Sequence, residues 1–171
     1  KLEQTLKSIR PLDHSMEPKV RAPLDDLTKP QGSLGRLEEL ALCYCLIQGT
    51  PQPKLGPKRI CCFAGDHGVA AEGVSAYPQE VTPQMVFNML AGGAAINVLT
   101  RHVNAELQVV DMGVASPLEN APGLCRRKIR SGTDNIAAGP AMTRAEAEAA
   151  ITVGIELAEA AARDGITMLG T

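Results

Sequence analysis

Three short apolar runs, each containing or ending at a glycine, punctuate the chain after residue 58. They read RICCFAG at 59–65, ELQVVDMG at 106–113 and GITMLGT at 165–171. Continuous apolar runs of this length are typical of strands that are buried on both faces of a parallel sheet. The pattern therefore predicts three parallel strands.

Helical patterns fill the two intervals between these runs. In the first interval, Thr82 followed by Pro83 is a strong helix-start signal, and Gly92–Gly93 is expected to divide or kink the segment. In the second, Thr143 and Glu146 form a capping box, and the helix is expected to stop at Gly165 and to face the sheet with Ile151, Ile155 and Ala158. Strands alternating with helices predict an α/β fold with right-handed crossovers.

The first 50 residues have a different pattern and read as a helical segment. Within RLEELALCYCLIQG, one helical face would carry Leu37, Leu40, Ala41, Tyr44 and Ile47, and Ser33 is the predicted N-cap. The proline-rich stretch TPQPKLGPK follows and reads as a linker. We therefore predict a helical segment at 1–50, belonging to a small domain, and a partial α/β domain at 58–171.

Composition narrows the class of protein. Of the 171 residues, 44% are hydrophobic, 21% are charged and 2% are aromatic, with a net charge of −2. This excludes a basic nucleic-acid footprint and gives little aromatic surface for stacking bases. No apolar stretch reaches the length of a membrane span. Five cysteines without a CxxC motif favour reduced thiols in the cytoplasm over a zinc site.

Polar residues follow the first two predicted strands and mark a candidate site. Asp66 and His67 lie between Gly65 and Gly68, and Asp111 ends the second run. Ligands bind beyond the carboxyl ends of the strands in parallel sheets, and the two glycines permit a close backbone approach. Alternatively, Asp66 caps a turn and His67 bonds to a backbone carbonyl. The residues alone indicate a small-molecule enzyme and do not specify its reaction.

Several long motifs together resemble one family. They cover nearly the whole chain from about residue 20, and they read TKPQGSLGRLEELA (28–41), FAGDHGVAAEGVSAYPQEVTPQMV (63–86), GGAAINVL (92–99), VVDMGV (109–114) and KIRSGTDNIAAGPAMT (128–143). The chain resembles the nicotinate-nucleotide–dimethylbenzimidazole phosphoribosyltransferases in these motifs. The resemblance implies a Rossmann-like sheet with a small helical domain made from both ends of a chain about twice as long.

The resemblance also implies an activity in cobalamin biosynthesis. Such enzymes transfer ribose phosphate from nicotinate mononucleotide to dimethylbenzimidazole, which gives α-ribazole phosphate and nicotinate with inversion at the anomeric carbon. No metal or redox cofactor is implied, and the enzyme is expected to be a cytoplasmic homodimer. A carboxylate in a dry pocket suits removal of the azole proton.

Site residues are carried over from the matching segment SAYPQEVTPQM. The resemblance places Tyr77 and Met85, with Gln84 adjacent, at the azole, and we expect Asp66, His67 and Asp111 at the rim of the same cleft. At this rim we expect Asp66 to fix amides of the loop backbone and to orient His67. The presumed catalytic glutamate of the family is expected beyond Thr171, so no residue of this chain is assigned as general base, and the chain is read as an N-terminal piece of the enzyme. Two alternatives stay open: a paralogue that uses another azole or a phenolic acceptor, and a non-catalytic binding module.

Overall fold

The computed structural model describes residues 1–171, which form six α-helices and one parallel sheet. The helices are α1 (Leu2–Ser8), α2 (Glu17–Asp25), α3 (Arg36–Gln48), α4 (Val81–Leu90), α5 (Ala95–His102) and α6 (Arg144–Arg163). The strands are β1 (Lys58–Gly65), β2 (Ala105–Gly113), β3 (Cys125–Arg126) and β4 (Met168–Gly170). None of the helices combines the length and the hydropathy that a membrane span requires.

The sheet has the order β3-β2-β1-β4, and every neighbouring pair is parallel. The α/β fold and the three predicted strands are confirmed, although β4 is shorter than its apolar run and β3 was not predicted. Strand β4 pairs with β1 over Lys58–Ile60. The β1–β2 register shifts after Ala64: Ala64 pairs with Asp111 and Gly65 pairs with Gly113, so Met112 of β2 has no partner in β1.

Two apolar layers cover the sheet, one on each face. Val109 and Val110 are adjacent in β2 and point to opposite faces because side chains alternate along a strand. Val109 belongs to the same buried cluster as Val86 of α4, whereas Val110 clusters with Val153 and Leu157 of α6. The centre of β2 is therefore buried on both faces, as its continuous apolar run predicts, whereas Phe63 of β1 and Met168 and Leu169 of β4 are exposed.

Helix α6 begins as predicted but presents a different face to the sheet. Thr143 and Glu146 form the expected capping box, and Gly165 adopts a left-handed conformation just after the helix. The predicted sheet-facing set is wrong, because Ile151 and Ala158 are exposed and Ile155 is only half-buried. The helix instead buries Val153, Leu157 and Ala161. An Ala-rich helix offers several apolar stripes, and the sheet selects among them.

The glycine pair ends α4 as expected, and α5 follows after a short break. Helix α4 starts at Val81, one residue before the predicted cap, because a turn at Pro78 already supplies the first carbonyl acceptor. In the break, the buried Asn97 side chain accepts from the Ala94 amide at 3.0 Å and donates to the Met89 carbonyl at 2.9 Å. This amide bridge fixes the angle between the two helices.

The chain divides into two compact units, residues 6–55 and residues 1–5 with 56–171. In the first unit, α3 packs on α2 with Leu42, Cys45 and Leu46 buried beside Val20. The predicted buried face of α3 is wrong, since Leu37, Leu40 and Ile47 are exposed. Ser33 is not the cap either, because Gly35 precedes the first helical residue.

Candidate functional site

The loops that follow β1 and β2 are tied together at the carboxyl end of the sheet. The Asp66 amide donates to the Gly113 carbonyl at 3.0 Å, and the Thr133 amide donates to the Asp66 carbonyl at 3.0 Å. The Gly68 amide then donates to the Thr133 carbonyl at 3.1 Å. Because these bonds are between main-chain atoms, the turn after β1 has a fixed conformation at the place where ligands bind in parallel sheets.

Only one of the two glycines in this turn is required by close packing. A Cβ atom on Gly68 would lie 2.6 Å from the Asn135 nitrogen and from the Asp134 carbonyl carbon. A Cβ atom on Gly65 would meet nothing closer than 3.8 Å. The predicted close approach is therefore confirmed at Gly68, while Gly65 has room for a methyl group.

The Asp66 carboxylate is buried and organises the neighbouring loop. Asp66 is only 4% exposed, and the Oδ2 atom of its side chain accepts a hydrogen bond from the Ala115 amide at 2.7 Å. This confirms that Asp66 fixes a loop amide. The ring of His67 makes no hydrogen bond within the chain, so neither the expected orientation by Asp66 nor a bond to a backbone carbonyl is observed.

Asp111 is placed below the site and not at its rim. The residue is 2% exposed, its Oδ1 atom accepts from the amides of Gly113 and Val114 at 3.1 and 3.0 Å, and its Oδ2 atom lies 3.5 Å from Lys128 Nζ. Because these groups surround the carboxylate, the expectation of Asp111 at the rim is corrected: it shapes the turn after β2 from beneath.

A cavity of about 490 Å3 opens beside the end of β1 on the α4 side. Its lining is mostly apolar and comes from β1, the turn after it, the 74–79 segment and α4, including Phe63, Val69, Ala70, Val74, Pro78, Val81, Val86 and Met89. Cys62–Gly65 at the end of β1, and Asp66 directly after the strand, also line the cavity, which therefore lies at the carboxyl end of this strand.

The structure brings most of the predicted site residues to this cavity. Asp66, His67, Tyr77 and Met85 all line it. Gln84 is exposed and does not line the cavity. Gln84 and Met85 are adjacent in α4, so their side chains point in different directions from the helix. Sequence reasoning missed Gln79, which lines the cavity and donates from Nε2 to the His67 carbonyl at 2.8 Å. Gln79 lies between Tyr77 and Gln84 in the same motif, and this position could have identified it as a candidate site residue.

A second, smaller cavity of about 120 Å3 lies on the α6 side of the same turn. Gly65, Asp66 and His67 line both cavities and so form a shared wall. The remaining walls come from β2, the loop after β3 and the start of α6, with Met112, Ile129, Thr133, Met142 and Ala150 among them. The walls are mainly apolar, which suits a small or flat group.

The basic loop RRKIRSGTDN is held to the neighbouring turns by main-chain hydrogen bonds. The amides of Gly132 and Thr133 donate to the Gly113 and Asp66 carbonyls. Arg130 forms a two-bond ion pair with Asp134, which raises the pKa of Arg130 and lowers that of Asp134. The loop therefore stabilises the turn.

The thiol of Cys62 lies at the floor of the larger cavity. Burial raises the pKa of this thiol and keeps it protonated at neutral pH. No group of three or more His, Cys, Asp or Glu side chains is arranged to hold a metal ion. What the larger cavity presents to a ligand is therefore an apolar slot with a few polar groups along its rim, the kind of surface that holds a flat ring.

Known proteins similar to this chain share one name. The nicotinate-nucleotide–dimethylbenzimidazole phosphoribosyltransferase of Chlorobaculum parvum is 57% identical over the whole chain, which covers 48% of that relative. The enzyme of the same name from Chlorobium chlorochromatii is 59% identical, also with 100% of this chain and 48% of the relative covered. The chain thus spans about half the length of the curated relatives it matches.

A solved structure and a family model agree with these relatives. The crystal structure of the Thermus thermophilus enzyme of that name superposes with a TM-score of 0.87 at 49% identity, covering 92% of this chain and 48% of the other. A family model described as Phosphoribosyltransferase matches residues 9–171. The chain therefore belongs to this phosphoribosyltransferase family.

Proposed function

We propose that the protein transfers ribose phosphate from nicotinate mononucleotide to dimethylbenzimidazole in cobalamin biosynthesis, releasing α-ribazole phosphate and nicotinate. The observation that carries this proposal is the apolar cavity of about 490 Å3 at the strand exits, with Tyr77 and Met85 in its lining. A flat base with two methyl groups needs such a slot and few polar partners. The names of the relatives support the same reaction.

The arrangement explains how the chain contributes to catalysis. Inversion requires the azole nitrogen to approach the anomeric carbon from the face opposite the leaving nicotinate. A cavity that fixes the plane of the base supplies this orientation, which is worth several kcal/mol in well-aligned reactions. The residues described in this chain bind and orient the substrates, and we assign none of them as the general base.

Within this proposal five of the six predicted residues have a defined task, and Gln84, which does not line the cavity, has none. Tyr77 and Met85 contact the base, the latter through its polarisable thioether. Asp66 and His67 form the wall at which the base and the nucleotide meet. Asp111 supports that wall through the amides of the β2 turn and touches no substrate.

An activity assay of the full-length gene product tests the proposal. The protein is incubated with nicotinate mononucleotide and, in separate reactions, with dimethylbenzimidazole, adenine or phenol, and the products are separated and weighed by mass spectrometry. We expect α-ribazole phosphate and nicotinate in equal amounts, formed only when both substrates are present. Transfer to phenol or adenine in preference to dimethylbenzimidazole would show that the protein is a paralogue with another acceptor. Binding of the substrates without transfer would indicate a non-catalytic binding module.

We further propose that the full-length protein is a cytoplasmic homodimer. All five cysteines are free thiols, which suits a reducing compartment. Light scattering during size-exclusion chromatography of the assay sample is expected to give twice the chain mass.

Replacing Met85 by glutamate is expected to weaken azole binding at least about tenfold while leaving nucleotide affinity within about threefold. When the azole binds, a carboxylate in the cavity lining must either lose its bound water or push the apolar ring aside. We expect a cost of about 1.4 kcal/mol or more, which corresponds to tenfold. Titration calorimetry with dimethylbenzimidazole and with nicotinate mononucleotide separates the two effects.

Gln84→Glu is the matched control for this change. It adds the same charge on the preceding residue of α4, outside the cavity lining, and is expected to change neither affinity. Equal losses for both ligands in Met85→Glu, or an equal effect of Gln84→Glu, would contradict the placement of the azole in this cavity.

A further inference from the structure

The two oxygens of the Asp66 carboxylate have different surroundings. Oδ2 is bonded to the Ala115 amide at 2.7 Å, whereas Oδ1 accepts no hydrogen bond within the chain and is not sealed from solvent. The residue as a whole is only 4% exposed and lines both cavities. A buried carboxylate therefore offers one unoccupied acceptor at the wall between them.

This acceptor is held in place before any ligand arrives. The main chain on both sides of Asp66 is bonded, through its amide to Gly113 and through its carbonyl to Thr133. The bond from Ala115 fixes the side chain itself. Because the carboxylate has little freedom left to lose, a ligand that donates to Oδ1 gains most of the energy of the bond.

An ionised carboxylate accepts hydrogen bonds and cannot donate them. The phosphate and the nicotinate carboxylate of the nucleotide are also acceptors and would be repelled. The ribose hydroxyls are donors, and an acidic residue at a strand end binds ribose hydroxyls in dinucleotide-binding sheets. The azole N–H is the other donor available, but Asp66 lies in the wall shared by both cavities and not in the azole cavity alone.

We propose that Oδ1 of Asp66 accepts a hydrogen bond from a ribose hydroxyl of the nucleotide substrate and so sets the sugar between the two cavities. This inference rests on the proposed function and adds to it the part of the substrate that Asp66 recognises. The bond holds the sugar while its anomeric carbon changes partners. Asp66 is thus a substrate-binding residue that orients the ribose and transfers no proton.

The test combines one variant with one ligand change in the full-length protein. Asp66→Asn retains an oxygen that can accept from Ala115 but replaces the other acceptor by an NH2 donor. The ligands are nicotinate mononucleotide and its 2′,3′-dideoxy analogue. We expect the unmodified protein to bind the dideoxy analogue about 10- to 100-fold more weakly, since a hydrogen bond to a charged group is lost. The variant should bind both nucleotides with that same reduced affinity.

Each other outcome has a definite meaning. Equal affinity of the unmodified protein for the two nucleotides overturns the inference without any variant, so a failure of Asp66→Asn to fold does not obstruct the test. A selective loss of azole affinity in Asp66→Asn assigns Oδ1 to the azole N–H and also overturns it. If the unmodified protein still catalyses the transfer when one of these two results is obtained, the proposed function stands and only the ribose contact is overturned. If the unmodified protein does not bind the nucleotide at all, the ribose contact and the proposed function are both overturned.

Discussion

Replacing Asp111 by alanine is expected to lower the free energy of unfolding by about 2–4 kcal/mol, because a buried amide left without its acceptor costs about 1–3 kcal/mol. The change leaves the amides of Gly113 and Val114 without their acceptor. Val114 is fully buried, so water does not replace the lost bond. The Lys128 ammonium group also loses its nearest carboxylate, 3.5 Å away. Urea unfolding followed by circular dichroism measures the loss.

The exposed carboxylate of Asp134 provides a control for this variant. Asp134 pairs with Arg130 through two hydrogen bonds, but its side chain is 60% exposed and water solvates Arg130 when the partner is removed. Asp134→Ala is expected to leave the unfolding midpoint nearly unchanged. A comparably small change in Asp111→Ala would show that the turn after β2 is stable without its carboxylate.

Replacing Gly68 by alanine is expected to cost about 3 kcal/mol, at the upper end of what overpacking usually costs. The added methyl carbon would lie 2.6 Å from two backbone atoms of the 134–135 segment and 2.8 Å from the Thr133 carbonyl oxygen. Backbone atoms cannot move aside as the end of a flexible side chain can. The turn must therefore separate from the loop, which breaks the bond between the Gly68 amide and Thr133.

Gly65→Ala is the matched variant, since it adds the same methyl group three residues earlier in the same turn. The nearest atom to its Cβ would be 3.8 Å away, an ordinary contact distance. We expect its unfolding midpoint to stay within the spread of repeated measurements on the unmodified protein. Similar destabilisation by the two substitutions would mean that the turn resists any side chain, and that the close approach to residues 133–135 is not the cause.

The helices and strands of this fold were predicted more accurately than the faces by which they pack. Local chemistry determines where α6 begins, because Thr143 and Glu146 bond to each other's backbone within one turn. The buried face of α3 depends on a partner, since its apolar residues surround the helix and α2 selects Leu42, Cys45 and Leu46. Strand β3 is only two residues long and has no periodicity to detect.

The candidate site shows the same division between local and distant information. Four of the six predicted residues line the larger cavity. Asp66 and His67 were predicted from the end of a parallel strand, whereas Tyr77 and Met85 were predicted from the family resemblance. The separation of Gln84 from Met85 depends on how α4 is rotated against the sheet. The burial of Asp111 depends on Lys128, which lies 17 positions along the chain and meets it only after β3 has paired with β2.

The wall shared by the two cavities links what happens on one side of the turn to the other. Gly65, Asp66 and His67 line both cavities, and main-chain hydrogen bonds hold this segment to the loops after β2 and β3. A substitution that displaces the segment would therefore reshape both cavities at once. A change confined to the larger cavity would have to arise from α4 and the 74–79 segment, whose residues do not line the smaller one.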